Sequence, residues 1–159
     1  VEAIHTASQA AEGVTPRDEV VVVEKRGIKG DRYYEGKGTF SKSNNRYAEG
    51  SSTNGRDLTL IEAEAVDAVF KDYQIEIKPG AHRRNITTRG VALNHLVGKK
   101  FRIGEVTCKG VCLCTPCNHM ESLTSNGVRN ALAHRGGLRA DILEGGVIKV
   151  GSDIEEVIE

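Results

Sequence analysis

Short β-branched runs, each cut off by glycine or polar residues, constrain this chain more than any other feature. Residues 20–23 (Val-Val-Val-Val) and Leu58-Thr59-Leu60-Ile61 are too short for amphipathic helices and carry the residue types that suit a pleated, half-buried surface. Residues 1–5 alternate loosely. Residues 98–106 place Phe101 and Ile103 on one face between basic neighbours and lead directly into 107–114, a second strand. Residues 138–143 and 147–158, with Gly145-Gly146 between them, predict a late hairpin. Helical spacing is scarcer: it predicts a helix over 62–70, a second over 126–133 and a short third over 91–97. With 18 glycines punctuating these runs, the pattern predicts a mainly β fold. The expected architecture is a closed or nearly closed antiparallel β-barrel with a few short helices on its rim (α+β), forming one domain over 1–159. Residues 35–55 break the pattern, being rich in Gly, Ser, Asn and Thr without period, and read as a long surface loop or a substrate lid.

Charge excludes some partners. The 22 Lys and Arg balance 22 Asp and Glu, so bulk electrostatics give no pull toward nucleic acid or an anionic membrane. Aromatic residues make up 4% with no Trp, which leaves little platform for stacking single-stranded bases. No apolar run reaches the roughly 18 residues that span a bilayer, and residues 1–15 lack a secretory signature; the expectation is a cytoplasmic protein with no nucleic acid and no membrane partner. The balance is locally uneven, however. Between Glu76 and Glu105 there is no acidic residue, while Lys78, Arg83, Arg84, Arg89, Lys99, Lys100 and Arg102 all fall there. Upstream, Gly27-Ile28-Lys29-Gly30-Asp31-Arg32 mixes basic residues with glycines, where backbone can approach a ligand closely. Arginine forks suit phosphate or another oxyanion.

The chemistry concentrates in Cys112-Leu113-Cys114-Thr115-Pro116-Cys117-Asn118-His119, which holds three of the four cysteines. In a reducing compartment such a cluster binds metal or reacts rather than forming structural disulfides. Pro116 lacks an N–H and biases Thr115 to an extended conformation, so the strand should end there and leave Cys117 at its mouth. On a regular strand, the evenly spaced Cys108, Cys112 and Cys114 would share a face. Cys108 and Cys112 also read as small buried hydrophobes. Cys114-x-x-Cys117 with His119 gives an alternative, a zinc-stabilised structural module, although a structural zinc wants four ligands. His119 is chemically suited to act as a base beside Cys117. No Gly-x-Ser-x-Gly elbow and no phosphate loop ending in Gly-Lys-Ser or Gly-Lys-Thr is present.

These residues resemble a family. Gly30-Asp31-Arg32, Arg56 ahead of Leu58-Thr59-Leu60-Ile61-Glu62, Arg83-Arg84-Asn85-Ile86, Leu96-Val97-Gly98, Phe101-Arg102-Ile103-Gly104, Cys114-Thr115-Pro116-Cys117, Gly136-Gly137-Leu138 and Gly145-Gly146-Val147-Ile148 before Gly151-Ser152-Asp153 occur in the order seen in MOSC domains. Those domains are named for the C-terminal domain of molybdenum cofactor sulfurase. The resemblance covers nearly the whole chain and implies a β-barrel, handling of the molybdenum cofactor (molybdopterin), and one reactive cysteine that carries sulfur or ligates the metal. It puts that cysteine at Cys117 and cofactor contacts at Arg83 and Asn85, with Lys29, Arg32 and Arg56 as further contacts. Arg84, next to Arg83 on a strand, would point to the opposite face. Two functions follow: a sulfur carrier with a persulfide on Cys117, or a molybdenum-dependent reductase of N-hydroxylated compounds. The implied partners are the cofactor or its anionic precursor, and a cysteine desulfurase or a redox protein. Pyridoxal phosphate, used by the desulfurase domain of the larger sulfurase, finds no motif here.

Overall fold

The computed structural model describes residues 1–38 and 55–158, so most of the loop expected over 35–55 lies outside the described residues. The strands are β1 (Ala3–Thr6), β2 (Thr15–Arg17), β3 (Glu19–Val23), β4 (Gly27–Ile28), β5 (Leu58–Glu62), β6 (Ile86–Thr88), β7 (Lys100–Ile103), β8 (Val106–Leu113), β9 (Leu138–Glu144), β10 (Gly146–Lys149) and β11 (Ile154–Glu156). Helices α1 (Ala63–Tyr73), α2 (Asn118–Leu123) and α3 (Val128–Ala131), and a 3-10 turn over Leu93–Leu96, lie between them.

Among the described residues eight strands form one sheet in the order β11-β7-β8-β9-β5-β6-β1-β2, and β10-β3-β4 form a second. Among the described strands every ladder is antiparallel except β5 with β6, which run parallel because α1 lies in the connection between them; a single parallel bridge also joins Val97 to Gly110. The fold is therefore mainly β with a few short helices, but among the described residues the expected closed barrel is not formed and the sheets are open. Composition at the edges explains why they stay unpaired. β2 is wholly exposed and contains Pro16, which has no N–H to offer a further strand, and β11 carries Glu155 and Glu156. The apolar face is covered by the second sheet instead of by edge closure. Val20, Val22, Ile28 and Ile148 from that sheet pack on Leu58, Leu60, Phe101, Ile103, Cys108, Leu138, Ala140 and Ile142 from the first.

The late hairpin is a second correction. β9 pairs with β5 and β8, whereas β10 pairs with β3, so Gly145 carries the chain from one sheet to the other. Alternation along β5 explains the second layer. Leu58 and Leu60 face the sheet–sheet core, and Ile61 faces the other way into a cluster with Ala65 and Val69 of α1, Met120 of α2, and Val128 and Ala131 of α3. α1 ends at Gln74, whose left-handed backbone donates to the Phe70 carbonyl at 2.9 Å while its side-chain amide donates to the carbonyls of Phe70 and Lys71. Among the described residues no helix is long and apolar enough to cross a membrane.

Candidate functional site

β8 delivers the cysteines, and its irregularity decides where each one points. Cys108 opposes Ile142 and Gly110 opposes Ala140, but a register shift follows and Cys112 opposes Arg139. Directly opposed residues share a face, so the bulge turns Cys112 away from the core face that holds Cys108. The expectation that Cys108, Cys112 and Cys114 share a face fails for this reason. Cys108 sits in the core, where burial, followed by the charges of Asp57 and Asp141, pushes its thiol up to about 12. It packs as a small hydrophobe. Cys112 is half-buried rather than sealed.

Beyond Leu113 the chain leaves the ladder but stays anchored. Cys114 donates its N–H to the Gly137 carbonyl at 2.7 Å. Gly136 packs so closely against this segment that a Cβ there would lie 2.4 Å from the Cys114 carbonyl oxygen and 2.7 Å from Pro116 Cδ. Cys117 follows as the residue flanking α2, with extended backbone (φ −127°, ψ 169°), and its carbonyl accepts the Glu121 N–H. Its thiol is free and half-buried against the helical cluster. All four cysteines are free. Among the described residues no group of three or more His, Cys, Asp or Glu side chains is placed to hold a metal, so the Cys114, Cys117 and His119 trio does not converge as a zinc clip.

The residues expected to hold a cofactor fall into two groups. Asp31, buried, accepts the Ala7 N–H at 3.0 Å and the Tyr33 N–H at 3.2 Å, lies 3.7 Å from Arg32 Nη1, and accepts from Asn85 Nδ2 at 3.4 Å. Asn85 is buried with its amide fully committed: Oδ1 accepts from the Thr59 N–H and hydroxyl at 3.2 and 3.0 Å, and Nδ2 also donates to the His5 carbonyl. Arg83 adopts φ +64° and donates to the carbonyls of Glu12 and Gln9. It stands near Arg32, since burial and then the Arg32 charge hold its pKa below the ordinary arginine value, against opposing pulls from Asp31 and Tyr33. Among the described residues the buried Nε groups of Arg32 and Arg83 have no acceptor. Arg32, Arg83 and Asn85 thus gather around Asp31. Lys29 is exposed, and Arg56 is half-buried beside Gly55, whose carbonyl accepts from Arg139 Nε.

Arg84 is the residue that sequence reasoning set aside. It diverges from Arg83 as expected, although the left-handed turn at Arg83 rather than a strand pleat separates them, since β6 begins only at Ile86. Its buried guanidinium donates to the carbonyls of Gly136 (2.9 Å), Cys114 (3.4 Å) and His82 (3.4 Å). Among the described residues no carboxylate pairs with it. Its own N–H donates to His82 Nδ1 at 3.0 Å. Burial, then Arg84, then His5 depress the His82 pKa to about 3, so the imidazole stays neutral and remains an acceptor. His5 stands edge-on to it, with 6.4 Å between ring centroids. For Cys114, burial raises the thiol pKa while Arg84 and Arg139 pull it back and Cys112 and Cys117 push it further up. The link between the arginine pair and the cysteine segment is therefore Arg84 rather than Arg83. A cleft of about 340 Å³ opens on the other side of that segment, between Leu113, Cys114, Thr115, Pro116 and Gly136 and the residues Arg129, Asn130, Ala133 and His134 of the α3 region. It borders Cys114 and not Cys117. The signals for these features were present in Gly136-Gly137 and in the glycine inside β8, which marks a bulge or a close backbone approach.

The MOSC domain family model matches residues 49–155. No curated protein sequence matches the chain. Among solved structures, the chain is similar to the YuaD protein from Bacillus subtilis, with 15% identity, a TM-score of 0.74, and 99% of this chain and 95% of that chain covered. It is also similar to YiiM from Geobacillus stearothermophilus, at 15% identity and a TM-score of 0.67 over 98% of this chain and 73% of that one. YiiM from Escherichia coli gives 15% identity and a TM-score of 0.65 over 100% and 71%. At these identities the likeness is one of fold.

Proposed function

We propose, because the chain belongs to the MOSC domain family, that it handles the molybdenum cofactor and uses Cys117 as its reactive sulfur, carrying sulfur as a persulfide for transfer to that cofactor or another metal–sulfur assembly. The observation that carries the cofactor side of this reading is the Arg32–Arg83 corner. Two neighbouring cations whose buried Nε groups find no acceptor among the described residues form an arrangement that an anion relieves, because it supplies acceptors and offsets the repulsion. The phosphate of a molybdopterin fits that need. Arg32 and Arg83 would hold it, with Asp31 and Asn85 fixing Arg32 and the surrounding backbone. When bound, the cofactor supplies a metal centre that accepts sulfur or exchanges oxygen.

The chain's own contribution is positional. Arg84 ties the cysteine segment to Gly136 and His82, so the backbone leading to Cys117 is held by the same residues that follow Arg83. Cys117 is a soft, free thiol, suited as a nucleophile toward a sulfur donor such as a cysteine desulfurase persulfide. The test is to expose wild-type protein and Cys117→Ser to a cysteine desulfurase with cysteine, then label with a persulfide-selective probe. Label on wild type and none on Cys117→Ser supports the carrier; equal label on both defeats it. Cofactor-loaded protein that reduces an N-hydroxylated amidine with a chemical reductant, yet never accepts sulfur, would transfer the reading to Cys117 as a metal ligand in a reductase.

A further inference from the structure

The stretch between β1 and β2 has no part in the reading above, and its anchors lie at the arginine corner. Ala7 is fixed on both sides: its N–H donates to Asp31 Oδ1 at 3.0 Å and its carbonyl accepts the Arg32 N–H at 2.8 Å. Residues 8–13 then run exposed, and the chain rejoins the ladder where Thr15 opposes Thr6. Within the stretch the Ser8 hydroxyl donates to Glu12 Oε2 at 2.9 Å. Among the described residues, the hydrogen bonds that join 8–13 to the rest of the chain come from one side chain: Arg83 Nη1 donates to the Glu12 carbonyl, and Nη2 to the Gln9 carbonyl at 3.3 Å. Arg83 reaches them from a left-handed backbone, φ +64°, which a residue with a Cβ holds only where its surroundings fix it. Its N–H is tied to the Gly80 carbonyl at 2.9 Å, and Gly80 packs so tightly that a Cβ there would lie 2.5 Å from Val14 and 2.6 Å from His5. Residues 7–14 therefore stretch from Arg32 to Arg83, the two cations of the corner. The Arg83 guanidinium divides its donors: both Nη groups meet the stretch, while the buried Nε has no acceptor among the described residues. Arg32, only 8% exposed, has its Nε in the same condition.

We propose that residues 8–13 are a strap clasped by Arg83, and that a phosphate-class anion held by the Nε groups of Arg83 and Arg32 tightens the clasp, so that the strap closes when the corner fills. This rests on the anion reading of that corner and names the segment that regulates it. One guanidinium serves both tasks, and that is the physical basis of the coupling. Without an anion the Arg32 charge repels Arg83, and the long side chain gives up rotamer freedom to hold two carbonyls at the surface. An anion between the two cations replaces repulsion by attraction and fixes the guanidinium through Nε, so the fork is already ordered for the Gln9 and Glu12 carbonyls. The planar fork makes this possible, because its Nε and Nη donors point in different directions; a lysine ammonium has no such division. Neighbouring carboxylates do not take the anion's place. Asp31 is occupied by the N–H groups of Ala7 and Tyr33 and by Asn85, and the Glu12 carboxylate accepts from Ser8 while its carbonyl meets Arg83. The coupling is reciprocal: an anion that holds the strap is held by it to the same factor.

Inorganic phosphate is the probe, titrated against chloride at constant ionic strength. The Nε–H resonances of Arg32 and Arg83 in isotope-labelled protein report occupancy of the corner. Elastase, which cuts after small residues such as Ala10 and Ala11, reports opening of the strap, with each cut located by mass spectrometry and a free peptide of residues 7–14 as the control for the protease itself. In wild type, phosphate should shift both Nε–H resonances and slow cutting within 8–13 by about tenfold at saturation, with one half-saturation concentration for the two signals. This arm needs no variant to fold. In Arg83→Lys the strap should be cut faster than in wild type without phosphate, and phosphate should still shift the Arg32 resonance but no longer protect the strap. Wild-type resonances that shift while cutting stays unchanged would overturn the strap and leave the cofactor corner standing. Resonances that do not move would overturn the corner and the strap together. Arg83→Lys that is cut as slowly as wild type and is protected equally by phosphate would overturn the clasp alone.

Discussion

Acid should destabilise this protein through His82, and the size of the effect follows from its surroundings. The ring is buried, its Nδ1 accepts the Arg84 N–H, its Nε2 lies 3.4 Å from Thr87 Oγ1, and its pKa is depressed from 6.5 to about 3. Above pH 6.5 the folded and unfolded chains both hold it neutral, and this group adds no pH dependence. As pH falls below 6.5, the unfolded chain binds a proton that the folded chain refuses until about pH 3, so stability falls with falling pH through that window. The slope is about 1.4 kcal/mol per pH unit, giving a loss of about 3 kcal/mol by about pH 4.5. His5, also depressed by burial, acts in the same direction. That is a large part of the typical stability of a domain, roughly 5–15 kcal/mol. His82→Asn keeps an acceptor near Nδ1 but cannot titrate. Urea unfolding of both proteins at pH 7 and pH 4.5 checks the reasoning: the wild-type advantage should shrink by about 3 kcal/mol between the two conditions. Parallel loss of stability in the two proteins would refute it.

Other outcomes follow from the same contacts. Gly136→Ala should cost about 1–3 kcal/mol in thermal or urea unfolding, because its Cβ meets Cys114 O at 2.4 Å and must displace the cysteine segment; it should also slow sulfur loading. Cys108 should resist iodoacetamide at neutral pH until the protein unfolds, with its thiol near 12, and Cys108→Ser should lower stability without changing sulfur loading. Asn85→Ala should destabilise the fold by about 2–4 kcal/mol even without cofactor, since its amide joins Thr59, His5 and Asp31. A variant of unchanged stability would show that the network is dispensable.

The contrast between legible and illegible elements is physical. β3, β5 and the β7–β8 hairpin were readable because their apolar alternation matches a pleat with one face on a core, and α1 because Ala, Glu and Val recur at helical spacing. The partner of β10 was not, since a glycine pair between two strands suits a hairpin and a passage between sheets equally well. α2 was missed as well. Six residues, Asn-His-Met-Glu-Ser-Leu, offer too little period to register, and Met120 alone supplies its buried anchor. At the site, Arg32, Arg83 and Asn85 were legible as a group through motif order. Arg84 was not, because its role comes from the carbonyls of Gly136 and Cys114, more than 25 residues distant in sequence. Gly110 carried the sign of the bulge: a Cβ there would lie 2.0 Å from the Leu96 carbonyl oxygen.

The proposed binding of an anionic molybdenum cofactor at the Arg32–Arg83 corner, in a protein whose proposed reactive sulfur is Cys117, is open to direct measurement. Its most direct test is the molybdenum and pterin content of wild type, Arg83→Ala and Cys117→Ser, each purified from a cofactor-producing host. Charge-assisted contacts are worth about 1.5–3 kcal/mol, so Arg83→Ala should bind pterin roughly tenfold or more weakly. Cys117→Ser should retain pterin at the arginine corner and fail to acquire sulfur. Wild-type protein that carries neither molybdenum nor pterin, or Arg83→Ala that carries as much pterin as wild type, would contradict the account.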